Sequence, residues 1–141
     1  MKKICLAAAV VLFTLLLAGC GKKQTLSCSQ APEGVEVVFN VDFKGNVVTG
    51  MDFHYNVDLS GYTDEQIESI GKQDFCVTVK ESMSNYKEAF TDCKSSIADK
   101  HLKVDSILDV DKVATDEKDK MTSIDAAKTE LEKQGYACVI K

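Results

Sequence analysis

The sequence predicts an α+β domain: a largely antiparallel sheet of about five to six strands with helices packed on one face. Three observations lead there. Two segments alternate apolar and polar residues around short turns, the pattern of β-hairpins. Two others begin at helix caps and continue with apolar residues at helical spacing. The resulting order is three strands, a helical segment, two strands, a helix and a strand, so hairpins dominate and neighbouring strands should run antiparallel.

The first elements are strands. Leu26 to Gln30 is a short strand, and Ala31-Pro32-Glu33-Gly34 is a turn signal. From Val35 to Lys44, Val37, Phe39, Val41 and Phe43 fall on one face. From Val47 to Leu59, Met51, Phe53, Tyr55, Val57 and Leu59 do the same. A two-residue Gly45-Asn46 loop would pair Phe43 with Val48, yet beyond Gly50 the apolar face is odd-numbered. Strand period is two, so one extra residue is required. A three-residue loop with Asn46 left-handed would supply it, and so would a bulge at Thr49-Gly50; the glycine favours the bulge.

Helical signals follow. Thr63 and Gln66 form a capping box, with Tyr62 and Ile67 placed as a hydrophobic staple. Ile67 and Ile70 share one phase, whereas Phe75, Cys76, Val79, Met83, Tyr86 and Phe90 form a stripe on another. The shift spans Gly71-Lys72-Gln73, which predicts a break there and a second helix from about Asp74 to Ala89. Cys93, Ser95 and Ile97, then Leu102, Val104, Leu108 and Val110, read as a second hairpin turning at Ala98-Asp99-Lys100. Asp111 to Lys120 is mostly charged and reads as a solvated loop or frayed turn. Thr122 or Ser123 caps a last helix through Gln134, buried along Ile124, Ala127 and Leu131. Gly135 and Tyr136 suit a Schellman ending, and Tyr136 to Lys141 is the final strand.

The amino terminus is of another kind. Lys2 and Lys3 precede Ile4 to Leu17, fourteen residues that are apolar or small except for Thr14. As a helix these span about 21 Å, short of the roughly 30 Å hydrocarbon core, and so describe an export signal. Leu17-Ala18-Gly19-Cys20 resembles the bacterial lipobox. That likeness implies cleavage after Gly19 and a diacylglyceryl group on the Cys20 thiol. The expected organisation is therefore a cleaved signal over residues 1–19, a lipidated tether over 20–24 and a single domain over 25–141. The domain would sit on the extracytoplasmic face of a cell membrane, held by lipid on Cys20. Two acyl chains anchor stably where one does not.

Charge narrows the partners. Of 17 basic residues, all are lysine, and loss of Lys2 and Lys3 leaves 15 against 22 acidic side chains, a formal charge of −7. An acidic chain without arginine is a poor match for nucleic acid, which needs clustered cations and bidentate donors.

Of six cysteines, Cys5 leaves with the signal and Cys20 carries lipid. Cys28, Cys76, Cys93 and Cys138 are an even set in an exported domain and read as two disulfides. Zinc is the rival reading, but no two of the four form a C-x₂₋₄-C pair. Cys28 with Cys138 would close a loop of roughly 110 residues, for which the chain-entropy model gives about 4.7 kcal/mol. That leaves Cys76 with Cys93, which is possible only if the helix stops near Ser82 to Asn85, where Ser82, Ser84 and Asn85 are weak helix formers. A helix unbroken to Ala89 would instead force Cys76 to reach Cys28 or Cys138.

With these elements placed, the chain resembles the YehR-like small bacterial lipoproteins. The points of contact are Phe43-Lys44-Gly45-Asn46-Val47, the Asp105-to-Val113 run ending Leu108-Asp109-Val110-Asp111-Lys112-Val113, and the Gly135-Tyr136 ending. The resemblance implies an α+β lipoprotein domain of unknown molecular function. It supplies no catalytic residues, and the four cysteines are not part of its pattern.

Candidate sites are few. Asp52, His54 and Asn56 lie on the polar face of their strand and could form a ligand patch, although strand alternation already accounts for them. Asp109, Asp111 and Asp116 do not fit a calcium loop, because Val113, Ala114 and Lys120 stand where a carboxylate, glycine and glutamate are needed. His101 lies beside a turn. No nucleophile elbow, phosphate loop or metalloprotease helix occurs, and no cofactor is called for. The Phe75-to-Phe90 stripe could line an apolar cavity between helix and sheet, though such stripes are more often simple core. The expectation is a non-enzymatic lipoprotein acting through contacts with envelope proteins or the cell wall. The alternative is a binder of a small apolar or peptide ligand between helix and sheet.

Overall fold

The computed structural model describes residues 21–141. The signal segment and Cys20 lie outside the described residues. Within them the architecture is the predicted one, α+β, with a six-stranded antiparallel sheet. Its strands are β1 (Lys23–Gln30), β2 (Val35–Lys44), β3 (Val47–Asp58), β4 (Phe90–Ala98), β5 (His101–Leu108) and β6 (Ala137–Ile140). The spatial order is β4-β5-β3-β2-β1-β6. The helices are α1 (Asp64–Gly71), α2 (Phe75–Ser82), α3 (Thr115–Asp119) and α4 (Ile124–Lys133), with 3₁₀ turns at Ser84–Ala89 and Val110–Lys112.

Alternation in the central hairpin has the expected consequence. Phe39, Val41 and Phe43 are buried opposite Phe53, Met51 and Val48, and form one apolar floor. The register slips by one residue where Asp42 faces Gly50 and Phe43 faces Val48, so Thr49 is the extra residue of a bulge. Gly45 turns the chain at φ 62° within the two-residue loop. A Cβ at Gly50 would lie 3.0 Å from Asp42 Oδ2, so a side chain there would press that carboxylate aside. In the second hairpin Asp99 and Lys100 both take positive φ, 50° and 59°, the geometry whose twist matches that of the flanking strands.

The helix ends are chemically defined. Thr63 Oγ1 accepts from the Gln66 amide and Gln66 Oε1 accepts from the Thr63 amide, completing the capping box. Tyr62 remains 47% exposed and does little as a staple. α1 stops at Gly71, and α2 restarts under an Asp74 cap, so the expected break is present. Ser123 caps α4. Its far end is a full Schellman motif: the Tyr136 amide donates to Leu131 O and the Gly135 amide to Glu132 O, both at 3.1 Å, with Gly135 at φ 92°.

Four expectations need correction. The first strand starts earlier than Leu26: β1 begins at Lys23, and the Gly45 amide donates to Lys22 O at 2.9 Å. The second helix does not reach Ala89 but ends at Ser82. β5 stops at Leu108, and Val110 opens a 3₁₀ turn. Asp111 to Lys120 is not simply solvated, because it contains α3 and buries Val113 and Glu117. The early end of α2 is coupled to the cysteines. Cys76 bonds Cys93 and Cys28 bonds Cys138, with Cα separations of 5.9 Å and 4.1 Å. A helix continuing to Ala89 would have carried the chain too far from Cys76 for Cys93 to return. The second bridge joins partners that face each other across β1 and β6, fixing a four-residue edge strand.

All helices cover one face of the sheet. Val79, Met121, Ile124, Ala127 and Leu131 close over Leu26, Phe39, Phe43, Phe53, Val104 and Leu108 in a single core. Fully burying each of these side chains larger than alanine contributes about 1.5–3 kcal/mol. The outer face is left uncovered, and its residues, among them Asn40, Asp52, His54, Asp105, Ile107 and Val139, are half-buried or exposed.

Candidate functional site

The helical layer does not cover its face of the sheet evenly. α2 is drawn toward β4 by the Cys76–Cys93 bridge, while α4 lies against β1 and β6. Between them, over β2 and β3, a cleft of about 410 Å³ remains. Its floor is Val37, Phe53 and Tyr55; one wall is Phe75, Thr78, Val79, Ser82 and Met83; Tyr136 stands opposite, after the α4 terminator. Clefts of about 300–1,000 Å³, mostly apolar with a few polar groups, are the usual form of small-ligand sites.

The polar groups of this cleft are hydroxyls. Ser82 Oγ donates to Val79 O at 2.8 Å and Thr78 Oγ1 to Asp74 O at 3.3 Å, so both are engaged by their own helix. Burial pushes the Tyr136 phenol above its ordinary value. No aspartate, glutamate, histidine or lysine lines the cleft. The arrangement can hold an apolar body and orient it by hydroxyls, and offers no general acid or base tuned for neutral pH.

The Asp52, His54 and Asn56 patch is brought together only in part. His54 Nε2 lies 2.6 Å from Asp52 Oδ2, and Nδ1 lies 2.6 Å from Asp105 Oδ1. Partial burial lowers the imidazole pKa, but the hydrogen bonds the ring donates to Asp105 and Asp52, together with their charges, outweigh it, leaving the value raised. Asp52 also accepts from Asn40 Nδ2 at 2.8 Å. Both ring nitrogens are thus committed to carboxylates, which makes the cluster a cross-strand clamp more than an open ligand site. Asn56 stands apart, its Oδ1 buried without a protein partner beside a hollow of about 310 Å³ that His101 also lines. Among the described residues no group of three or more His, Cys, Asp or Glu is arranged to hold a metal ion.

One polar cluster was missed by sequence reading. Glu117 is buried and accepts from Asn85 Nδ2 and Lys120 Nζ, both at 2.8 Å, and from the Tyr86 hydroxyl at 3.0 Å. Burial raises its pKa, yet the hydrogen bonds from Lys120 and Tyr86 and the Lys120 charge prevail and hold it low. This carboxylate ties the 3₁₀ turn after α2 to α3, and Tyr86 in turn meets Phe39 edge-on at 5.8 Å. It therefore fixes the segment on which Met83 stands. Val37, Tyr55 and Tyr136 were also not foreseen at the cleft. The only signal was that the α2 stripe carried more apolar residues than its short helix can bury, since only Val79 is fully covered there.

No family model matches the chain, and neither curated proteins nor solved structures give a significant match.

Proposed function

We propose that this protein is a lipoprotein of a bacterial envelope, anchored through lipid on Cys20, and that it works by binding a small apolar ligand without catalysis. The observation that carries the ligand reading is the cleft between α2 and the β2–β3 floor, of ligand size and lined by apolar side chains with hydroxyls. The anchor reading rests on the Leu17-Ala18-Gly19-Cys20 motif behind a basic, apolar leader and on the likeness to YehR-like lipoproteins. Two disulfides agree with an oxidising, exported location. A second reading, contact with an envelope protein or the cell wall, is favoured by the uncovered outer face of the sheet, where Ile107 and Val139 are 58% and 56% exposed.

Two measurements test the two parts. Cys20→Ala should abolish the lipid mass and release the domain or stall its processing; a variant still cleaved after Gly19 and still membrane-bound overturns the anchor. The native chain, purified from membranes and analysed by native mass spectrometry, should carry an apolar molecule that Thr78→Trp excludes. Equal loading of both forms overturns the cleft, and a protein cross-linked in intact cells to Ile107 or Val139 supports the second reading instead.

A further inference from the structure

One end of the sheet gathers cations on a chain that is otherwise acidic. Lys23 of β1 faces Lys44 of β2 directly across the ladder. Lys141 faces Thr25 through two backbone bonds of 3.0 and 2.9 Å, and Lys22 is held by the Gly45 amide. Like charges opposed across a ladder are destabilising, and among the described residues none of these four lysines forms an ion pair with a carboxylate. The nearby Asp42 carboxylate is engaged by the Thr25 hydroxyl at 2.6 Å. Beside them is a hollow of about 400 Å³ that Lys23, Thr25, Asp42 and Lys141 line. Val47, at the hairpin tip, is 65% exposed, more than any other large apolar side chain among the described residues.

The described chain also enters at this end. A Cβ placed on Gly21 would lie 3.2 Å from Lys44 Cε, so the backbone one residue after Cys20 passes against the Lys44 side chain. We infer that this end is a docking surface for anionic lipid headgroups. Lys22, Lys23, Lys44 and Lys141 meet phosphate, and Val47 enters the interface. The inference rests on the lipid-anchor reading and deepens it. A lipid on Cys20 alone holds the domain at one point and does not set its orientation. The four cations would set the sheet upright, with the hairpin tip down and the Asp58–Gly61 end away from the bilayer. Polybasic segments beside an anchor act in this way, and their attraction is screened by salt.

The sequence has no tryptophan, so one introduced residue reports alone. The lipidated full chain carrying Val47→Trp is placed in vesicles of zwitterionic lipid, with or without phosphatidylglycerol, each doped with brominated lipid. Tyr62→Trp reports from the opposite end, where Tyr62 is already exposed. The inference expects Val47→Trp to be blue-shifted and quenched with the anionic lipid and much less without it. Most of the quenching should disappear on adding Lys44→Glu and Lys141→Glu, or at raised salt. Tyr62→Trp should be quenched in neither. Equal quenching of Val47→Trp in both lipids, or quenching of Tyr62→Trp as strong as that of Val47→Trp, overturns the inference. Intact mass on the same samples judges the anchor separately. A chain without lipid on Cys20 contradicts that reading, while the response to anionic vesicles still decides the surface.

Discussion

Replacing Glu117 probes a buried carboxylate that holds the 3₁₀ turn of residues 84–89 against α3. Its side chain is 5% exposed and accepts from Asn85, Tyr86 and Lys120. Lys120 is itself solvated, so only the Asn85 and Tyr86 bonds enter the magnitude. Hydrogen bonds to a charged acceptor contribute about 1.5–3 kcal/mol each, and with Asn85 exposed and Tyr86 half-buried the low end applies to both. Glu117→Ala should therefore cost about 3 kcal/mol. Glu117→Gln keeps the shape and one acceptor and should cost about half as much, on the same ground. The pH dependence has a definite sign. The folded carboxyl titrates below its ordinary value of 4.5. A depressed folded pKa contributes stability that is fully present above the unfolded value and is lost as pH falls through the folded one. Urea unfolding followed by far-UV circular dichroism should show the wild type ahead of Glu117→Gln by a constant margin at neutral pH, and by a shrinking one below pH 4.5. A Glu117→Ala cost under about 0.5 kcal/mol, the range of ordinary surface changes, would refute the reasoning. So would a margin over Glu117→Gln that does not change with acid.

Other outcomes follow from the same geometry. Replacing both cysteines of the Cys28–Cys138 bridge, which spans 110 residues, should cost more than replacing those of Cys76–Cys93, which spans 17; the chain-entropy model gives about 4.7 against about 3 kcal/mol. Denaturant titration of the two double-alanine variants checks this ranking, and the reverse order contradicts it. Ser106 is buried on the core face with its hydroxyl unpartnered by protein, so Ser106→Ala should raise the melting temperature by an amount equivalent to about 1 kcal/mol. A lower melting temperature shows that the hydroxyl is satisfied. His54 has a raised folded pKa, so its contribution is full below the ordinary value of 6.5 and is lost as pH rises through the folded value. His54→Gln should accordingly destabilise in mild acid, by less than about 1 kcal/mol because the clamp is half exposed, and hardly at all at alkaline pH. A pH-independent cost would assign its effect to packing.

What could be read from the sequence was whatever is decided within a few residues or by period alone. The mismatch of apolar phase across Gly50 demanded one extra residue, and the bulge at Thr49 supplies it. Thr63 with Gln66, and Gly135 with Tyr136, are end signals whose hydrogen bonds form within one helical turn. The end of α2 was harder, because local propensity permitted a stop near Ser82 without requiring it; the position of Cys93 on β4 decides between the two outcomes. Glu117 was hidden in a charged run, since its partners Asn85 and Tyr86 lie 32 and 31 residues earlier. The cleft was hidden for a related reason. The α2 stripe is legible, but the gap beside it depends on how far α2 is pulled toward β4 and where Tyr136 falls after α4.

Methionine methyl groups give the most direct test of the proposed ligand site. Met83 lines the cleft, whereas Met51 and Met121 line a separate hollow of about 370 Å³ near the hairpin tip. With ¹³C-methyl-methionine in the lipidated chain, held in deuterated lipid nanodiscs, 1-decanol serves as the apolar probe. The Met83 resonance should shift saturably, with Met51 and Met121 unmoved, and Thr78→Trp should abolish that shift because Thr78 stands exposed at the rim. A Met83 resonance that does not respond, or that drifts linearly together with Met51 and Met121, would contradict the proposed ligand site.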